Sequence, residues 1–142
     1  MVNLNFKPII REFHEKDFEQ IEKFDKDFNL VQEDCKKYCW IYVAVYKEIV
    51  GYIAIMKGQE SAYFDDDLMN WAEIRELHIK PEFQNRGVGT LITEFAINDA
   101  KNKGFSCIYV STDDFNAPAR QVYKKCGFKE FNRVIRYKYE LY

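Results

Sequence analysis

Two periodicities alternate along the chain. A short β-like run at 9–13 leads into Phe18, Ile21, Phe24 and Phe28, whose three- and four-residue steps predict one amphipathic helix. A polar helical stretch at 32–38 follows. The apolar runs 40–46 and 50–56 are joined through Lys47 and Glu48, too polar to continue a buried strand, and read as a hairpin. Residues 57–70, with Gly58 and the run Asp65, Asp66, Asp67, show no clean period and are expected to form a loop.

Order returns in the second half. Residues 72–80 form a strand ended by Pro81, and 87–103 a helix with Val88, Leu91, Ile92, Phe95, Ala96 and Ala100 on one face, closed by Gly104. A strand at 106–111 precedes a helix at 117–125, with Asn116 as N-cap, Pro118 in the first turn and Gly127 as its stop. Two β-like runs, 128–131 and 134–141, complete the chain. The central strand-helix-strand unit implies a parallel pair with a right-handed crossover, and the hairpins imply antiparallel neighbours, so an α/β domain with a mixed sheet is expected.

At 142 residues and 17.0 kDa, residues 1–142 have the size of one domain. Twelve Phe and ten Tyr promise an aromatic-rich core. The 23 acidic and 21 basic residues are interspersed, which leaves no basic stripe for a nucleic-acid backbone. Asn3, Asn5 and Lys7 interrupt the first ten residues, so neither a signal peptide nor a membrane span is expected, and a cytoplasmic location follows. In that compartment Cys35, Cys39, Cys107 and Cys126 should stay reduced. With His14 and His78 the only histidines, and no zinc-finger spacing, no metal site is expected.

The chemistry concentrates in Gln84, Asn85, Arg86, Gly87, Val88 and Gly89, at the junction of central strand and helix. Two glycines there let the backbone turn sharply and approach a ligand, the helix N-terminus offers bare amides, and Arg86 adds a positive charge. Pyrophosphate binding is the chemistry suggested. A dinucleotide fingerprint would need a third glycine where Leu91 and Ile92 stand, and a P-loop would need Gly-Lys-Ser/Thr. Taken alone, a two-glycine turn is as compatible with a purely structural helix start.

Context decides. The run 77–89, Leu-His-Ile-Lys-Pro-Glu-Phe-Gln-Asn-Arg-Gly-Val-Gly, resembles the central motif of the GNAT superfamily of N-acetyltransferases: a strand, a proline-containing turn, then Gln/Arg-x-x-Gly-x-Gly/Ala opening a helix. The resemblance continues in Asn116, Ala119 and Tyr123-Lys124-Lys125-Cys126-Gly127-Phe128, so that it covers about residues 73–128. It implies a mixed sheet of six to seven strands with about four helices, and a splayed parallel pair that holds acetyl-coenzyme A. By the same resemblance, Leu77, His78 and Ile79 pair with the pantetheine arm, Gln84 to Gly89 and Thr90 hold the diphosphate, and Asn116, Ala119 and Tyr123 complete the cofactor site.

Acetyl transfer needs a neutral amine, and at pH 7 deprotonating a lysine-like group costs about 4–5 kcal/mol, so a general base is expected. Glu73 has the spacing of the glutamate in histone-acetylating relatives and Glu76 that of some small-molecule acetyltransferases; strict alternation would allow only one of them to face the acceptor. Glu73 is the preferred candidate, with a water chain as an alternative. Tyr123 matches the family's proton donor to the leaving thiolate. The acceptor amine is expected among residues 24–40, 57–71 and 131–137, where Asp65–Asp67, Tyr63, Phe64 and Trp71 suit a cationic amine such as an aminoglycoside, polyamine or lysine. The rival readings are a non-catalytic CoA-binding module and a dinucleotide-binding domain. An exposed β edge is compatible with a homodimer.

Overall fold

The computed structural model of the chain describes residues 5–35, 39–58 and 70–142, without the side chains of residues 34 and 35. Its sheet has five strands in sequence order: β1 (Ile9–Glu12), β2 (Cys39–Tyr46), β3 (Glu48–Lys57), β4 (Trp71–Ile79) and β5 (Cys107–Val110). The first four are antiparallel and β5 joins β4 in parallel. The helices are α1 (Phe18–Glu22), α2 (Phe28–Cys35), α3 (Val88–Asn102) and α4 (Ala117–Lys125). The mixed α/β architecture, its parallel pair and the four helices agree with the sequence reading. The count of six to seven strands does not: among the described residues no strand follows α4.

The sheet separates two cores. On one face α3 packs Val88, Ile92 and Ala96 against Ile53, Ile55, Ala72 and Ile74; on the other, Ile21, Phe28 and Val31 of α1 and α2 cover Val43, Tyr52 and Ala54. Both layers are the product of period-two alternation in the strands meeting a three-to-four-residue stripe in the helices. No helix among the described residues is long and apolar enough to cross a membrane.

The helix expected to run from Phe18 through Phe28 is broken in two. Asp25 causes the break: its carboxylate accepts the Asp27 backbone N–H at 3.1 Å, and its carbonyl accepts Phe28 N–H, a local alternative to the helical ladder. The polar stretch expected at 32–38 falls in α2 as far as Cys35, and the remainder lies outside the described residues, as do Tyr63, Phe64 and Asp65–Asp67.

A buried ion pair ties the helical layer to the sheet. Asp17, 1% exposed, accepts both Arg11 guanidinium nitrogens at 2.7 and 2.9 Å and the His14 N–H at 2.8 Å. Arg11, first by its hydrogen bonds, holds the Asp17 pKa below the usual carboxylate range. Removing one partner of such a pair leaves a buried charge, so Asp17→Ala is expected to destabilise the fold by about 3 kcal/mol in urea titrations at pH 7. Because the folded pKa lies below the unfolded one, the stabilisation is complete above about pH 4 and is lost as pH falls through the folded value. The gap between wild type and variant should therefore narrow at acid pH; a gap independent of pH would remove the charge from the account.

Candidate active site

β4 carries the candidate acid–base residues, and its register is irregular. Ala54 pairs with Glu76 while Ile55 pairs with Ile74, which leaves Arg75 as an extra residue in β4. A bulge of this kind reverses the phase of the side chains beyond it. Before it, Ala72 and Ile74 face α3; after it, Leu77 and Ile79 do. Glu73 lies opposite Met56, Glu76 opposite Ala54 and His78 opposite Tyr52, all on the face toward α1 and α2. The expectation that Glu73 and Glu76 cannot share a face is thereby overturned.

The two carboxylates differ in their company. Both have raised pKa values, primarily through burial. For Glu73 the other influence is the opposing charge of Arg75. Glu76 feels Asp25 and Asp27, which raise its pKa further, and His78 and Arg75, which lower it; the Arg75 guanidinium stands 3.9 Å away. Glu76 is also electrostatically coupled to Tyr123, whose phenol is pushed up to about 12 by burial first, then by Glu76 and Cys126. Of the two glutamates, Glu76 is the one associated with Tyr123.

That phenol value bears on how Tyr123 could serve a leaving thiolate. Even at ordinary pKa values of about 10 for a phenol and 8.5 for a thiol, complete transfer to a thiolate runs uphill by about 2 kcal/mol, and a phenol near 12 makes it steeper. Tyr123 is suited to donating a hydrogen bond to developing negative charge while remaining neutral.

The bulge is followed by an opening in the sheet. β5 pairs with β4 from Trp71 to Ile74, after which 75–79 continue along β3 alone. Leu77, His78 and Ile79 thus have one edge toward β3 and the other away from any strand among the described residues. The Gln84 amide donates to the Ile79 carbonyl at 3.0 Å and ties the following turn to the end of this strand. Asn85 and Gly87 both have positive φ, 61° and 85°, and Gly87 is the N-cap of α3 with no side-chain cap. Leu91 N–H reaches the Gly87 carbonyl at 3.0 Å, so the Val88, Gly89 and Thr90 amides have no intrahelical acceptor. A Cβ on Gly87 would meet nothing within 4 Å, whereas one on Gly89 would touch Val122 at 3.5 Å. The turn therefore leaves these amides without an intrahelical acceptor beside open space at Gly87, an arrangement that fits a diphosphate. Arg86 lies beside it, its guanidinium 5.5 Å from the Phe6 ring and 5.4 Å from the Phe83 ring.

Downstream, the Asn116 carboxamide accepts Ala119 N–H at 3.3 Å, the expected N-cap, and Ala119 lies in the first turn of α4. The Cys126 thiol donates to the Thr90 carbonyl at 3.7 Å and its pKa is raised by burial, so it is packed rather than activated. The His78 backbone is at the open edge, and its side chain turns to the opposite side, 3.5 Å from the Asp25 carboxylate and stacked on Tyr52. Tyr52 donates to the same carboxylate at 2.5 Å. Asp25 and Tyr52 went unnoticed in the sequence, since only the β3–β4 register and the helix break bring them to His78.

The family model described as "Acetyltransferase (GNAT) family" matches residues 5–128. An uncharacterised N-acetyltransferase of Methanocaldococcus jannaschii is 37% identical over 59 residues, 42% of this chain and 26% of that protein. N-alpha-acetyltransferase 30 of Schizosaccharomyces pombe is 31% identical over 64 residues, 45% of this chain and 43% of that protein; the match thus spans less than half of either relative. Among solved structures, the aminoglycoside N-acetyltransferase AAC(6')-Iy in complex with CoA superposes with a TM-score of 0.78 at 19% identity, over 93% of this chain and 99% of that one. A protein of Bacillus halodurans described as a transcriptional regulator has the same fold, with a TM-score of 0.73 at 21% identity over 94% of this chain and 100% of that one. With a family match over most of its length and both motifs on the elements expected for them, the chain belongs to the GNAT acetyltransferase family.

Proposed function

We propose that the chain transfers an acetyl group from acetyl-CoA to a primary amine, with Glu76 as the general base and Tyr123 as the hydrogen-bond donor to the leaving sulfur. The observation that carries the reading is the bulge at Arg75, which sets a desolvated carboxylate beside the open edge of β4 and in electrostatic contact with Tyr123. Acetyl-CoA supplies the activated thioester. The amides of Leu77 to Ile79 would orient it and polarise its carbonyl, and those of Val88 to Thr90 would hold its diphosphate. Glu76 accepts the amine proton directly or through water, and its raised pKa makes it a stronger base than a solvated glutamate. Tyr123 then donates a hydrogen bond to the sulfur as the carbon–sulfur bond breaks.

The acceptor we infer is a cationic amine. Asp25 and Asp27 both act on Glu76 electrostatically, and carboxylates on one face of the sheet favour a substrate that arrives protonated. The aminoglycoside acetyltransferases among the structural neighbours are compatible with this class. Thiol release from acetyl-CoA over a panel of aminoglycosides, polyamines and peptide N-termini tests the reading. Acceleration by at least one amine is expected; CoA binding without amine-dependent release would favour a non-catalytic module instead.

Two variants test the parts. Gly87→Glu places a carboxylate where the diphosphate would lie, and is expected to weaken CoA binding at least tenfold in calorimetry while helix content is retained. An unchanged affinity would remove the turn from the site. Glu76→Gln is expected to lower kcat by about 100-fold or more and to abolish the acid limb of the kcat/KM profile, which in the wild type falls as Glu76 becomes protonated. Tm should not fall, since the lost charge is a desolvated one. A retained acid limb would return the role to Glu73 or to water.

A further inference from the structure

The segment before β1 meets the turn before α3 at one end of the sheet, where β1 begins, β2 ends, β3 begins and β4 ends. Phe6 packs there edge-on against the Tyr46 ring, with centroids 4.7 Å apart, and stacks on the Phe83 ring at 6.0 Å and 17°. Phe83 is fixed in its turn by the short 3-10 helix Pro81–Phe83, where its N–H donates to the Lys80 carbonyl at 2.9 Å. Phe6 lies in neither of the two sequence motifs, and β1, which follows it, is at the edge of the sheet opposite β5.

Arg86 caps this pair of rings. Its guanidinium carbon is 5.5 Å from the Phe6 centroid and 5.4 Å from that of Phe83, close to the separation of the rings themselves, so the cation bridges the pair from one side instead of lying between them. Among the described residues no carboxylate or carbonyl accepts a hydrogen bond from it. The arginine is thus held by aromatic faces, and its planar fork of N–H donors stays uncommitted. Such a fork can give paired hydrogen bonds to a phosphate, and the Val88, Gly89 and Thr90 amides that lack an intrahelical acceptor follow it directly in the chain.

We infer that Phe6 is a positioning residue for the cofactor: with Phe83 it holds the Arg86 side chain in the placement from which the guanidinium serves the diphosphate at the α3 turn. The inference rests on the reading of that turn as the acetyl-CoA site. A free arginine side chain loses much of its rotamer freedom when it grips an anion, and one already laid against two rings has less to lose, so the clamp raises affinity without touching the ligand. Residues before β1 thereby take part in cofactor recognition from outside the motifs that define it.

Calorimetry with CoA on single and double variants tests the clamp. Phe6→Leu is expected to weaken binding about threefold to tenfold, Phe6→Tyr to restore it to the wild-type level, and Phe6→Leu to cost nothing further in an Arg86→Met background, because two residues that act as one unit are not additive. Losses that add, or an affinity that Phe6→Leu leaves unchanged, overturn the inference and leave the turn in its role. A wild type that does not bind CoA removes the reading of the turn and the clamp with it. Should Phe6→Leu fail to fold, the wild type decides: NOEs between the Phe6 ring and the Arg86 side chain, together with a shift of the Arg86 Nε–H on saturation with CoA, support the clamp, and the absence of either rejects it.

Discussion

One extra residue in β4 organises the rest of the site. Without the bulge at Arg75, the alternation that buries Ala72 and Ile74 against α3 would carry Glu76 to that same apolar face and turn Leu77 away from it. The bulge lets the strand keep its apolar residues under α3 on both sides of the irregularity while Glu73, Glu76 and His78 share the opposite face. It comes just after Ile74, where β5 stops pairing with β4, so the change of phase and the opening of the sheet fall together. Bulges end pairing and re-aim side chains; here both effects fall at one point of β4.

The groups gathered here are costly to maintain. Glu73 and Glu76 sit where burial opposes their charge, and Tyr123 sits where burial opposes its ionisation. Such groups are a burden on stability and an asset to proton transfer, which is the combination expected at an acid–base site. The fold meets the burden with rigid elements on both sides. The two cores clamp β3 and β4, Asp17 and Arg11 fix the start of the helical layer, and Tyr52, Asp25 and His78 link that layer to β4. The α3 turn adds bare amides without a buried charge of its own.

What could be read from the sequence was local. Helix α4 has its Asn cap and its stop, α3 has its apolar face and its glycine start, and the 84–89 turn has its positive φ angles, because each depends on residues within one or two turns of one another. What could not be read depends on distant partners. The bulge is a mismatch between β3 and β4, the helix break at Asp25 is fixed in part by Tyr52, and the tail's period-two pattern does not become a strand among the described residues. Strict alternation would have put Glu73 and Glu76 on opposite faces, and the irregularity between them, set by the pairing with β3, puts both on one.

The proposed reaction requires acetyl-CoA to lie across the open edge of β4 and the start of α3, and amide shifts report on that surface directly. In a titration of the labelled protein with CoA, the backbone amides of Leu77 to Ile79 and of Val88 to Thr90 should move together on one saturable isotherm, with Tyr123 following. Saturable binding that leaves both groups unmoved while amides elsewhere shift would contradict the account.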